Sequence, residues 1–443
     1  MKSGIREVTL NAAIEMMPSS RQERMLESTA RSLLARTRLA AAKFPETRGV
    51  FLGGSYAKGT WLPKHVDLDV FVRIDPDTPE EEFEKIGLAV GKIATKGFPQ
   101  GKKYAQHPYT EALVGGIRVN IVPCYAVEKG DWKSAADRSL FHAKIVSSLR
   151  ESDKTQIRLL KMFMIAAGVY GAEIEVRGFS GYVAEVLVME HGGLKETLRY
   201  FATMKLRADG YPFHLHDPVD EGRDLGIAVS GEKLGRMILA SREFLNNPSG
   251  AYFVKMRGFE HSELRKRVVA VVFSHPFMSE DTLWGELRRA ARQMVRHLEL
   301  HGFTVARCMA ASDNTRSSAI LIIPEYDTLP AFEQRIGPAV DRRKDLKAFI
   351  SANRQRAELV WVDDDARARI LRPRKHTKLT DFLQDTLKGK VGQSVSSHEL
   401  DRGLKRSGSV ISGARLEQKA KTSKWLDIGI KEIVSDAFGI RPD

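Results

Sequence analysis

Two aspartates, Asp67 and Asp69, stand in a run that alternates strictly: Val66, Leu68, Val70, Val72 and Ile74 against Asp67, Asp69, Phe71 and Arg73. On a strand, residues two apart project from the same face, so both carboxylates lie on one side, a few ångströms apart. Neither has a Lys or Arg as an immediate sequence neighbour. Such a pair repels itself unless a divalent cation lies between the two charges. Mg2+ suits the place, because it takes one or two carboxylates and completes its octahedron with phosphate oxygens and water. Just upstream, Gly53-Gly54-Ser55 makes a tight turn whose backbone N–H groups and hydroxyl can hold a triphosphate, with Lys58 in the helical turn that follows. A strand ending in this turn, followed closely by DLD in alternation, implies two-metal nucleotidyl transfer. One ion activates an attacking hydroxyl and the other holds the leaving pyrophosphate.

These residues need a sheet behind them. Ser19 and Ser20 can cap a helix over 19–43, with Met25, Leu26, Leu33 and Leu34 on one face. Strands are predicted at 49–52 and 66–74, and at 117–122, where Ile117, Val119 and Ile121 alternate with Arg118, Asn120 and Val122. Residues 141–168 and 177–204 carry helical spacing, and a turn-rich junction follows at 211–220. Strands at 267–274, 303–310 and 318–323, with a helix over 281–301 between the first two, suggest a second α+β module. A short amphipathic helix near 425–438 closes the chain. The fold class is therefore α+β and multidomain.

At 443 residues the chain has room for several cores, and no apolar stretch of membrane-spanning length occurs. Lys and Arg exceed Asp and Glu by 70 − 56 = 14, an excess that points to a polyanionic partner, nucleic acid first. Two cysteines, Cys124 and Cys308, are too few for a disulfide framework. Both are read as buried core thiols in a soluble, cytoplasmic protein.

The pair Gly54-Ser55 and Asp67-x-Asp69 resembles the nucleotidyltransferase superfamily of DNA polymerase beta. The longer strings GGSYAKGTWL, AQHPYTEA, VPCY, KMFMIAAGVYGAE, RGFSGY and DPVD-x-x-R together resemble the archaeal, class I CCA-adding enzymes. The resemblance implies a polymerase-beta-like nucleotidyltransferase head at 1–140 and a helical neck at 141–216. A body at 217–257 and 367–443 and an α+β, tRNA-binding tail at 258–366 complete it. It implies restoration of the CCA end of tRNA from CTP and ATP without a nucleic acid template, with Mg2+ as cofactor. It also admits a homodimer. By the same resemblance Ser139 and His142 open the neck beside the nucleotide, Lys161 and Tyr170 bind its triphosphate, and Arg223 reads the base edge together with tRNA phosphate. Asp224 stands where the family commonly has Asn.

One departure concerns the reaction itself. Where the family has a third carboxylate beside the DxD face, this chain has Asn120, which offers a carbonyl oxygen but no charge to the catalytic metal. An engineered, inactivated copy is favoured over a natural protein with weakened chemistry. If the third acid lies elsewhere, Glu111 is the first alternative. The run 367–378 carries Arg367, Arg369, Arg372, Arg374, Lys375 and Lys378 and no acid, a sensible phosphate track. By resemblance it would help clamp the acceptor and TΨC stems of tRNA by shape and backbone. The competing readings are a poly(A)-type polymerase of the superfamily and a catalytically dead tRNA-binding protein.

Overall fold

The structure, a computed structural model, describes residues 4–63, 65–205, 213–254, 262–389 and 398–435. They form two compact units that divide at 257/258.

The first unit opens with a five-stranded sheet: β1 (Thr47–Gly53), β2 (Asp67–Ile74), β3 (Gln100–Tyr104), β4 (Pro108–Val114) and β5 (Ile117–Tyr125), in the order β1-β2-β5-β4-β3. Only β2 and β5 run parallel; the other pairings are antiparallel. Leu68, Val70, Val72 and Ile74 turn to one face and are buried against helices Ser20–Ala41 and Glu80–Ala94 through Leu26, Leu33, Phe83 and Val90. A capping box between Ser19 and Gln22 starts the first of these helices. The opposite face carries Asp67 and Asp69, as the alternation requires.

The rest of the unit is helical. The predicted helix over 141–168 is two, Ser139–Ser147 and Glu151–Ala166, and that over 177–204 is also two, Gly181–His191 and Leu194–Thr203. Gly192 and Gly193, both at positive φ, make the second break. Their core runs through Leu160, Phe163, Phe179, Leu187 and Phe201. Part of the junction read at 211–220 lies outside the described residues.

The second unit holds a four-stranded antiparallel sheet of β6 (Val269–Ser274), β7 (Val305–Ser312), β8 (Ser317–Pro324) and β12 (Ser409–Ser412), in the order β12-β6-β8-β7. Helix Glu280–Leu300 packs on one face and helix Lys424–Ile433 on the other. The end of the helix read over 425–438 lies outside the described residues. A three-stranded sheet of β9 (Phe332–Ala339), β10 (Leu359–Val362) and β11 (Arg367–Pro373) has the order β10-β11-β9. Residues 367–435 thus group with 262–366 in one unit. Cys124 is buried as read; Cys308 on β7 is only half-buried, a correction, although burial still pushes its thiol up to about 12. No described helix is long and apolar enough to cross a membrane.

Candidate active site

The sheet register brings the acidic residues to one place. Asp67 lies opposite Arg118 and Asp69 opposite Asn120 across the parallel β2–β5 pair, while Glu111 on β4 lies opposite Asn120 from the other side. The Asn120 amide donates to Asp69 Oδ1 at 2.9 Å, and Arg118 Nε is 3.7 Å from Asp67 and 4.0 Å from Glu111. Burial raises the Asp69 carboxyl, with the Asn120 hydrogen bond pulling the other way; burial also raises Asp67, against Arg118. Gly54 holds the turn against them. At φ +62°, a Cβ there would come within 1.8 Å of Asp69 Oδ2, so only glycine lets the backbone approach. Ser55 and Lys58 follow in the helical turn Gly54–Lys58.

A second cluster forms around a residue that sequence reasoning missed. Glu185 sits inside helix Gly181–His191 with its side chain 1% exposed. Lys58 Nζ reaches its Oε2 at 2.8 Å and Lys161 Nζ its Oε1 at 2.8 Å, while the Thr60 hydroxyl donates to Oε1 at 2.6 Å. Lys161 also donates to the Thr60 hydroxyl at 2.9 Å. Burial would raise the Glu185 carboxyl, but Lys161 and Lys58 outweigh it and hold it at about 2, so it is ionised. The signal was present in the sequence: one acid among Val183, Ala184, Val186, Leu187 and Val188 must find a partner when buried. At the start of the same helix, a Cβ on Gly181 would lie 2.8 Å from Tyr170 Oη and 3.6 Å from Lys161 Nζ. Lys161 and Tyr170 therefore converge on one small space, with the helix N-terminus beside it.

A third cluster gathers His142, Tyr182 and Arg223 on Asp217, which has no exposed side-chain surface. The distances to its carboxylate are 3.2 Å from His142 Nε2, 2.8 Å from Tyr182 Oη and 3.2 Å from Arg223 Nη1. Burial would raise Asp217, yet His142, the Val219 N–H and Tyr182 hold it well below the usual carboxylate range. Burial lowers His142 despite Asp217. Two acids near Arg223 in the sequence are engaged elsewhere: Asp220 binds Arg138 at 2.7 Å and Asp224 binds His214 at 2.6 Å. Tyr182 stacks on His142 with ring centres 3.7 Å apart, and Lys58 Nζ lies 4.8 Å from the Tyr182 ring centre, so the second and third clusters adjoin. Ser139 begins helix Ser139–Ser147, one turn before His142.

The family models that match are a nucleotidyltransferase domain over 38–146, the second domain of tRNA nucleotidyltransferase over 155–254, and the C-terminal domain of the CCA-adding enzyme over 265–405. The CCA-adding enzyme of Pyrobaculum islandicum is 32% identical over 424 residues, covering 93% of this chain and all of that one. The chain belongs to the CCA-adding enzymes. Those of Methanothermobacter thermautotrophicus and Archaeoglobus fulgidus are 32% and 30% identical, covering 80% and 86% of this chain and 83% and 90% of theirs. Among solved structures, the Cid1 poly(U) polymerase overlaps at a TM-score of 0.44 and 14% identity, over 56% of this chain and 98% of that one.

In this CCA-adding enzyme the acidic face fits a divalent cation. Two neighbouring carboxylates, both raised by burial, share it, and Asn120 Oδ1 is buried with no partner among the described residues. One further trio with metal-ligand spacing, Glu80, Glu84 and His107, lies at the start of helix Glu80–Ala94, with His107 packed on Phe83.

The basic run of the second unit is split by β11. Arg369 pairs with Asp363, and Arg372 and Arg374 both pair with Glu333, each largely withdrawn from solvent. Arg367, Lys375 and Lys378 are exposed. The run therefore contributes fewer outward charges than its sequence suggests.

Proposed function

We propose that this chain adds C, C and A to the 3′ end of tRNA from CTP and ATP, without a nucleic acid template, releasing pyrophosphate. The observation that carries this reading is the acidic face of Asp67 and Asp69 held against the Gly54-Ser55 turn, in a chain of this family. Mg2+, held by Asp67, Asp69 and the Asn120 carbonyl oxygen, would activate the attacking 3′ hydroxyl and neutralise charge on the leaving pyrophosphate. Gly54, Ser55, Lys58, Lys161 and Tyr170 bind the triphosphate, since ammonium, hydroxyl and backbone N–H are all donors to phosphate oxygens. Ser139 and His142 line the path of the nucleotide. Arg223 reads the base edge, with Nη1 held by Asp217 and the rest of its fork turned to a base acceptor and a phosphate. Exposed Arg367, Lys375 and Lys378 meet tRNA phosphates.

In this reading residues 1–140 are the catalytic head and 141–216 the neck, with body and tail beyond, and the reducing cytoplasm suits the two free cysteines. Asn120 slows the chemistry. Its amide donates to Asp69 in the place where a third carboxylate would add charge for the metal, so nucleotide and tRNA still bind while turnover suffers. The test presents tRNA lacking CCA with each of the four NTPs, beside an Asn120→Asp variant. Incorporation that stops after C, C and A supports the reading; continued addition of A, or equal use of UTP and GTP, overturns it.

A further inference from the structure

The two lysines assigned to the triphosphate are not free arms. Both reach the same buried carboxylate, from different elements: Lys58 from the turn after β1 and Lys161 from helix Glu151–Ala166. Two ammonium groups on one carboxylate leave one surplus positive charge, locked in a cluster that also includes the Thr60 hydroxyl. Lys161 is 2% exposed at its side chain and Lys58 9%, so neither can be kept charged by water. We propose that Glu185 is a positioning residue for nucleotide binding, which keeps Lys161 protonated and aims it, with Lys58, at the triphosphate. This rests on the reading of Lys58 and Lys161 given above.

Burial lowers Lys161, and Glu185 is what opposes that loss. The charged or titratable groups around the pair are Lys58, Arg158, Tyr170 and Tyr182. Lys58 and Arg158 push Lys161 further towards neutrality. Arg158 donates to the carbonyl of Gly59, closing the cluster from the other side. Among the described residues no other acid pairs with Lys161, so removing the Glu185 charge leaves Lys161 beside Lys58 and Arg158, of which Arg158 keeps its ion pair with Glu151.

The experiment measures CTP binding to the full chain, and binding of inorganic tripolyphosphate, from pH 6 to 9.5. The parent is compared with Glu185→Gln, Glu185→Asp and Lys58→Met. If Glu185 keeps Lys161 charged, Glu185→Gln binds CTP nearly as well as the parent at pH 6 and loses affinity as pH rises, with the alkaline limb moved down by about one pH unit or more. Glu185→Asp restores the parent limb in part. In turnover the loss falls on KM for CTP rather than on kcat. A uniform loss at every pH, with no displaced limb, overturns the proposal and leaves Glu185 a packing residue. If Lys58→Met binds CTP and tripolyphosphate like the parent, the triphosphate assignment itself fails. Should Glu185→Gln not fold, the double variant Glu185→Gln with Lys161→Met removes the buried Glu185–Lys161 pair and leaves Lys58. That variant is expected to lose the parent's affinity across the whole range and to show no alkaline limb; an alkaline limb matching that of the parent overturns the role of Lys161.

Discussion

Asp69 and Glu185 are both acids drawn away from solvent in the first unit, yet their surroundings have opposite character. Glu185 has its countercharges built in, two lysines and a hydroxyl from the chain itself, and it stays ionised at about 2. Asp69 has a second carboxylate two residues away and, among the described residues, only the Asn120 amide as a hydrogen-bond partner, and burial pushes it up. The difference separates a charge meant to stay put from a charge left for something that must arrive. A fold that completes its own neutralisation gains rigidity; one that withholds it gains a place for a cation.

The largest expected effect tests the open side of this contrast. Asp69→Ala should lower nucleotide incorporation by about a thousandfold or more, about 4 kcal/mol of barrier, while the melting temperature holds or rises because a self-repelling pair is relieved. Unchanged incorporation, measured by extension of tRNA lacking CCA, would remove Asp69 from the metal.

The closed side should answer in the reverse sense. Glu185→Leu leaves Lys161 buried without its counterion and should cost about 3–5 kcal/mol in denaturant unfolding, with at least about 1 kcal/mol regained when Lys161→Met is added. The pH dependence carries the same sign. Glu185 is depressed in the folded state, so its stabilisation is full above the ordinary glutamate value of about 4.3 and drains as pH falls towards about 2. The acid limb of unfolding should thus be steeper in the parent than in the double variant.

Asn120→Asp probes the boundary between the two situations. Adding a third carboxylate should raise turnover by about a hundredfold or more, about 3 kcal/mol. It should also destabilise the metal-free protein by about 1–3 kcal/mol, since the amide that now donates to Asp69 is lost, and Mg2+ should restore the melting temperature. A turnover equal to that of the parent would direct attention to Glu111, which faces Asn120 from β4.

Arg223→Ala should relax the preference for CTP and ATP over UTP and GTP by about 1–3 kcal/mol, read from relative kcat/KM. The smallest effect separates the two halves of the basic run. Neutralising Arg367, Lys375 and Lys378 should flatten the salt dependence of tRNA binding by about 0.7–0.9 of slope for each phosphate that no longer meets a cation. Changing Arg372 should instead lower stability, because it leaves Glu333 short of a partner.

What could be read in advance followed periodicity. The strict alternation over 66–74 and 117–122 fixed the acidic face and put Asn120 on it, and the register bears this out. Breaks within long helical patterns were harder, because Leu149-Arg150 carries no breaker, although Gly192-Gly193 does. Strands β3 and β4 escaped notice; β3 is a short, largely exposed strand of Gln, Gly, Lys and Tyr at the sheet edge, with no apolar alternation. Glu185 and Asp217 were missed for a different reason. A lone acid in an apolar helix hints that Glu185 needs a partner but not which one: Lys58 and Thr60 lie 127 and 125 residues from it, and His142 lies 75 from Asp217.

The parallel pairing of β2 with β5 also sets when the site can come into being. Hairpins β3–β4 and β4–β5 join neighbouring stretches of chain and can close early, but Asp69 meets Asn120 across 51 residues, after the ends of a long loop have been brought together. On a ribosome, the nascent chain must have delivered β5 before β2 can acquire that neighbour. Until then the two aspartates lie on a strand that β1 alone can pair with, without the neighbour that completes the acidic face. Catalytic competence is therefore a late product of assembly, gained in the same step that completes the sheet.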